Sequence, residues 1–137
     1  MKTAVVYWSM TGHSKRIAEA VANRLGVQAQ NVKERVTLEP VDRLFLVSGI
    51  YGGQSNPALL SWVKELNPLQ VKSVALMTSS AAGVTPATQL REALSDRGIE
   101  VLTQEFTCAG SFLIFRMGRP GKQEIKAAVA FAGKHGN

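Results

Sequence analysis

The run Ser9-Met10-Thr11-Gly12-His13-Ser14 concentrates hydroxyl groups around a glycine, directly after an apolar stretch and directly before a helical pattern. Ser9, Thr11 and Ser14 can donate O–H bonds. Gly12 lets a ligand approach the backbone, and the helix that follows presents free N–H groups with the positive end of its dipole. Such a set suits a phosphate, and the same residues would also serve as a plain capped turn. Two further glycine- and hydroxyl-rich runs, Val47-Ser48-Gly49-Ile50-Tyr51-Gly52-Gly53 and Thr78-Ser79-Ser80-Ala81-Ala82-Gly83, each follow an apolar stretch in the same way. Other chemistries find little support. Cys108 is the one cysteine, so an internal disulfide or a multi-cysteine metal site is excluded, and His13 and His135 have no ligand-spaced partners. No metal site is expected. A P-loop or a dinucleotide fingerprint would need glycine patterns that do not occur. A phosphoryl-accepting receiver would need acids after the first and third strands, where Trp8-Ser9 and Ser48-Gly49 stand.

The elements that must position these loops follow from hydrophobic periodicity. Ala4 to Trp8, Leu44 to Val47 and Val74 to Met77 are short, almost continuously apolar runs, the pattern of parallel strands covered on both faces. Two more polar runs, Val32 to Leu38 and Glu100 to Phe106, read as half-exposed edge strands. Helices fall between them. Ile17, Val21 and Leu25 repeat every four residues up to Gly26. Asn56-Pro57 caps a second helix through Leu59, Leu60, Val63 and Leu66, which Asn67-Pro68 ends. A third opens at Thr85-Pro86, carries Leu90 and Leu94, and stops at Gly98. The last places Ile125, Val129 and Ala132 on one face before Gly133.

The resulting order is β-α-β-β-α-β-α-β-α. It predicts a doubly wound α/β sandwich of three layers around a five-stranded parallel sheet of order 2-1-3-4-5, with residues 1–137 as one domain. Ligands of such sheets bind beyond the carboxyl ends of the strands, where all three loops would lie. The link Glu39-Pro40-Val41-Asp42 between the second and third strands is short for a crossover, which normally takes ten or more residues, unless the second strand is shorter than Val32 to Leu38.

Composition sets the remaining bounds. With 137 residues, 45% hydrophobic and 19% charged, the chain has the make-up of a folded domain, not of a disordered one. No apolar run reaches the roughly 18 residues of a membrane helix. MKTAVVYW stops too early for a signal peptide and reads as the first strand of a cytoplasmic protein. The net charge of +6 favours anionic ligands or partners, but Lys and Arg are dispersed, so a basic solvated surface is expected and not a nucleic-acid patch.

Tyr7-Trp8-Ser9-Met10-Thr11-Gly12-His13-Ser14 followed by Lys15-Arg16-Ile17-Ala18 resembles the flavodoxin phosphate loop, [ST]-x-T-G-x-[ST] after a hydrophobic strand. The resemblance extends along the chain. The runs ending in Gly53 and Gly83 stand where flavodoxins place the two loops that touch the flavin ring. Phe106-x-Cys108-x-Gly110-x-Phe112 with Gly118-Arg119-Pro120 is similar to the carboxyl-terminal part of short family members. The resemblance implies bound FMN: Ser9, Met10, Thr11, Gly12, His13 and Ser14 on the phosphate, and Gly49, Ile50, Tyr51, Gly52, Gly53 with Thr78, Ser79, Ser80, Ala81, Ala82 and Gly83 around the ring. Tyr51 would stack on the ring or lie on the surface over the second helix. Cys108 would be a small buried hydrophobe or a thiol near the flavin.

The implied function is electron transport by a flavoprotein, with a redox partner protein or a small planar acceptor. Two alternatives are an FMN-dependent reductase of a quinone or porphyrinogen-like acceptor, and a cofactor-free regulatory module. Three departures from the family stand out. Shuttle flavodoxins resemble one another in being acidic, whereas this chain is +6, so its partner need not be a typical one. Residues 78–86 contain no aromatic to cover the flavin. His13 replaces a frequent asparagine. The stretch Phe112-Leu113-Ile114-Phe115 could cover the core, make a subunit contact or support a planar acceptor.

Overall fold

The computed structural model describes residues 1–9, 12–36, 38–51, 54–80, 87–109 and 122–136. The strands are β1 (Thr3–Tyr7), β2 (Ala29–Asn31), β3 (Val41–Tyr51), β4 (Gln54–Ser55), β5 (Val71–Ser80), β6 (Glu100–Val101) and β7 (Phe106–Ala109). The helices are α1 (His13–Leu25), α2 (Pro57–Lys64), α3 (Thr88–Asp96) and α4 (Lys122–His135). The sheet runs β2-β1-β3-β5-β6, with β7 also on β5, and every pairing is parallel except that of β4 with the end of β3. Counting β6 and β7 as two parts of one edge strand, this is the expected doubly wound order.

Both faces of the sheet are buried, which is why the central strands read as continuous apolar runs. Alternation sends Ala4, Val6, Leu44, Leu46, Val74 and Leu76 toward α2 and α3, where they meet Leu59, Val63, Leu90 and Leu94. The opposite parity, Val5, Tyr7, Phe45, Val47, Ala75 and Met77, packs on Ile17, Ala18, Val21 and Ala22 of α1 and on Ala128 and Ala132 of α4. Phe45, Leu44, Leu46, Leu76 and Met77 are fully buried, each contributing about 1.5–3 kcal/mol.

Local signals act as read at both the end of α1 and the start of α2, although α2 ends at Lys64, before the expected Leu66 and Asn67-Pro68. Gly26 ends α1 at φ 73°, a left-handed turn that favours glycine. Asn56 caps α2 by accepting from the N–H groups of Ala58 (2.8 Å) and Leu59 (3.2 Å), with Pro57 in the first turn.

Four expectations are corrected. The second strand is Ala29–Asn31, not Val32 to Leu38. Val32, Val36 and Leu38 instead pack, partly buried, against the core on the α2/α3 face. Their shared apolar character comes from covering that face as the chain crosses from β2 to β3 without a helix. The shorter strand also leaves residues 32–40 for the crossover, which removes the length problem. Next, the edge strand splits into β6 and β7: the Leu102 N–H still donates to the Val74 carbonyl at 3.0 Å, and the segment up to Glu105 that follows meets Arg91. The last helix passes Gly133 and ends at His135; Gly133 faces the Arg24 guanidinium of α1, where a Cβ would stand 3.0 Å from Nη2. Finally, β3 and β5 extend beyond Val47 and Met77 to Tyr51 and Ser80. Parallel hydrogen bonding continues in register through Ile50–Ser80 although Ser48-Gly49 and Thr78-Ser79-Ser80 break the apolar runs. The start of the third helix at Thr85-Pro86 lies outside the described residues; α3 is observed from Thr88.

Candidate functional site

Ser9 leaves the carboxyl end of β1, and its Oγ accepts from the Gly12 N–H at 2.8 Å, closing a tight turn ahead of α1. Gly12 occupies the N-cap at φ 87°, ψ −4°, and the Arg16 N–H donates to its carbonyl at 3.1 Å. This positive φ requires glycine on conformational grounds. The position a Cβ would take is open, with no atom within 4 Å. Gly12 brings no side chain to satisfy the first-turn N–H groups, and that turn of α1 contains no acid. The positive end of the dipole of α1 therefore stands beside an open backbone turn, an arrangement that accepts an anion. His13 and Ser14 are buried. Met10 and Thr11 lie outside the described residues.

The two other candidate loops begin as strand. Gly49, Ile50 and Tyr51 form the end of β3, and Thr78, Ser79 and Ser80 the end of β5, paired Ser48–Thr78, Gly49–Ser79 and Ile50–Ser80. On its other side β5 pairs Thr78–Thr107, Ser79–Cys108 and Ser80–Ala109. In-register residues of parallel strands share a face, so Ser48, Thr78 and Thr107 form a polar row at the carboxyl edge, on the α2/α3 side. Ser48 satisfies its hydroxyl on the Gly49 carbonyl at 3.1 Å. Thr78 is buried, and among the described residues its Oγ1 has no hydrogen-bond partner. Ser48 and Thr107 were missed as site residues by sequence reasoning. Ser48 could have been included from its contact in sequence with Gly49, whereas Thr107 is brought there only by strand pairing. Gly52, Gly53, Ala81, Ala82 and Gly83 lie outside the described residues, as do the side chain of Tyr51 and that of Cys108, which is placed by backbone on β7 beside Ser79.

Two contacts fix the entries to these loops. The Ser55 N–H of β4 donates to Gln89 Oε1 of α3 at 2.7 Å. Glu105, from the gap between β6 and β7, accepts from the Ala87 N–H at 3.1 Å through Oε1 and from Arg91 Nε (3.1 Å) and Nη2 (2.8 Å) through Oε2, while Arg91 Nη2 also donates to the Leu102 carbonyl. This carboxylate thereby caps α3, whose own N-cap residue, Ala87, has no side-chain acceptor.

His135 stands apart from this site. Its ring lies 4.5 Å from that of Phe131, its carbonyl accepts from Arg43 Nη1 at 2.6 Å, and among the described residues Nε2 is buried without a partner. Burial, then Lys134 and Arg43, push its pKa below the usual 6.5. Among the described residues no cluster of His, Cys, Asp and Glu could hold a metal ion, and no helix is long and apolar enough to cross a membrane. A cavity of about 620 Å³, lined by Lys2, Leu25, Gln30 and Pro40 among others, opens at the amino edge of the sheet, away from the hydroxyl-rich loops.

Comparison with known proteins agrees with this architecture. A family model described as flavodoxin domain matches residues 4–136. Among solved structures, an archaeal flavodoxin superposes with a TM-score of 0.74 at 19% identity, covering 98% of both chains. Oxidised Flavodoxin 2 from Bacillus cereus gives 0.67 at 20% identity, over 96% of this chain and 95% of that one. The rubredoxin oxygen:oxidoreductase of Desulfovibrio gigas gives 0.70 at 14% identity, over 96% of this chain and 34% of the other. These likenesses establish the fold. No curated protein matches the chain at a significant level.

Proposed function

Because the chain belongs to the flavodoxin domain family, we propose that it is an FMN-binding electron carrier, with residues 1–137 working as one domain. The observation that carries this reading is the Gly12 turn: an open, left-handed N-cap at the positive end of α1, at the carboxyl end of β1. The phosphate of FMN would be held by the N–H groups and hydroxyls of Ser9, Met10, Thr11, Gly12, His13 and Ser14. The ring would lie between Gly49–Gly53 and Thr78–Gly83, and the flavin, when bound, supplies the one- or two-electron chemistry.

The residues present fit such a group. Thr78 buries a hydroxyl that lacks a partner among the described residues, at the edge where the ring would sit, and a buried polar group in that state is unfavourable until a ligand atom satisfies it. Ser48 and Thr107 extend the polar row on either side, and Glu105 holds Ala87 at the start of α3. Tyr51 is assigned to the flavin ring, and Cys108 to a structural position. A single cysteine fits work in the reducing cytoplasm.

The test is spectroscopic. Protein purified without added cofactor should show flavin absorbance, and the flavin-free form should bind FMN at least about tenfold more tightly than riboflavin, since each charge-assisted bond to the phosphate is worth about 1.5–3 kcal/mol. Equal affinity for the two would remove the Gly12 turn from the site, and failure to bind either would refute the reading.

A further inference from the structure

The charge of this protein is unevenly placed. Among the described residues of the stretches that meet at the carboxyl edge of the sheet, 8–9, 12–16, 48–51, 54–58, 78–80, 87–88 and 107–109, the charged residues are Lys15 and Arg16, with no Asp or Glu. Lys15 and Arg16 are exposed in the first turn of α1. Just beyond β2, Lys33 places its Nζ 5.2 Å from the centre of the Trp8 ring, at the same edge. Of the acids nearest to this edge, Glu105 is neutralised by Arg91 at 2.8 Å, while Glu34 follows Lys33 and Glu124 lies in the first turn of α4. The amino edge is mixed: Asp42 pairs with Lys72 at 3.5 Å and accepts from the Lys2 N–H, and Glu39, Glu65, Asp96 and Glu100 are interspersed with Arg24, Lys64, Arg97 and Lys134.

Helix stability does not account for Lys15 and Arg16. Cations in a first turn oppose the helix dipole, and acids would be favoured there. Nor does the pattern suit a nucleic acid, which is met by cations tracking a continuous backbone. Here the basic residues border a centre of Gly, Ser and Thr without charge. A charged rim around an uncharged centre is the anatomy of a protein–protein interface.

We propose that the carboxyl edge of the sheet is an electropositive docking face for an acidic protein partner, steered by Lys15, Arg16 and Lys33 onto the cofactor end of the molecule. This rests on the electron-carrier reading and names the kind of partner that reading requires: one that presents carboxylates around its own redox centre.

The test measures binding of the purified protein to three probes: an acidic [2Fe–2S] ferredoxin, a lysine-rich c-type cytochrome and a single-stranded DNA of about twenty nucleotides. The ferredoxin should bind at about 50 mM salt and weaken at least about tenfold at about 300 mM, as screening requires. The Lys15→Glu/Arg16→Glu pair should weaken it by about tenfold at low salt, whereas Lys64→Glu/Lys134→Glu, an equal change of charge at the amino edge, should stay within about threefold. Equal losses in both pairs would reduce the effect to net charge, and absence of ferredoxin binding or binding of the cytochrome would overturn the proposal. So would tighter binding of the DNA, lost in the Lys15/Arg16 pair. Flavin content and FMN affinity are measured on the same samples: a chain that binds no FMN but keeps this selectivity refutes the carrier and leaves the face standing. A Lys15/Arg16 pair that loses FMN while its ferredoxin affinity is unchanged assigns those cations to the phosphate and overturns the face.

Discussion

Thr78→Val removes a hydroxyl that the protein buries. Thr78 is 2% exposed and its Oγ1 makes no hydrogen bond among the described residues, although its neighbours in register, Ser48 and Thr107, are both hydroxyl-bearing. Leaving a hydroxyl unsatisfied in the interior costs about 1–3 kcal/mol. Valine has nearly the same shape, favours strands and has no polar atom to desolvate. The flavin-free variant should therefore be more stable than the wild type, by about 1 kcal/mol once local adjustment is allowed for. FMN binding should move in the opposite direction. If a ligand atom satisfies Oγ1, binding both relieves the burial cost and adds a bond, and valine forfeits both. A loss of about 1.4 kcal/mol corresponds to tenfold in affinity, so the Kd should rise by about that factor. The assays are urea unfolding of the flavin-free proteins and FMN titration followed by fluorescence quenching. Thr78→Ser, which keeps the hydroxyl, should hold its affinity within about threefold. A valine variant that is less stable and binds FMN as before would refute the reasoning, because Oγ1 would then be satisfied within the protein and remote from the ligand.

Three further outcomes are expected. Glu105→Gln keeps the shape of the α3 cap but loses the charge that faces Arg91; with side chains 15% and 32% exposed, the pair should yield about 1–2 kcal/mol of destabilisation in urea, and an unchanged midpoint would show that the cap does not matter. Gly12→Ala meets no steric obstacle but must hold φ near 87°, so it should lose about 1–2 kcal/mol in stability and also weaken FMN; a loss of neither would mean that the turn relaxes freely. His135 has a folded pKa below 6.5, so the unfolded chain takes up the proton first, and stability should fall as pH is lowered through about 6.5. His135→Gln should flatten the dependence between about pH 7.5 and 5.5, and an identical slope in the variant would assign it to other groups.

The sequence was informative wherever the physics is local. The central strands show as apolar runs because both of their faces are covered, and α1 and α2 follow from their four-residue repeats, from Gly26 and from the Asn56-Pro57 cap. The start of α1 at Gly12 was legible for the same reason: a glycine, hydroxyls and a helix start lie within six consecutive residues, the set on which the proposed phosphate site rests. The family resemblance then marked the runs after Val47 and Met77 as candidate ring loops, which periodicity alone would have left as turns.

What the tertiary structure decided is non-local. Ala29–Asn31 has neither an apolar run nor alternation, and is a strand only because β1 offers it a parallel partner. Val32, Val36 and Leu38 share their apolar character because they cover a sheet face, so their parity suggested a strand where none forms. Where the edge strand splits, Arg91 reaches Glu105 and Leu102, and the end of α4 is held by Arg43, 92 residues away in sequence. The Thr78 hydroxyl, unpartnered among the described residues, likewise exists only because β3, β5 and β7 lie side by side. Each of these depends on a pairing between distant segments, whose free energy belongs to the assembled sheet and leaves no periodic trace in either segment alone.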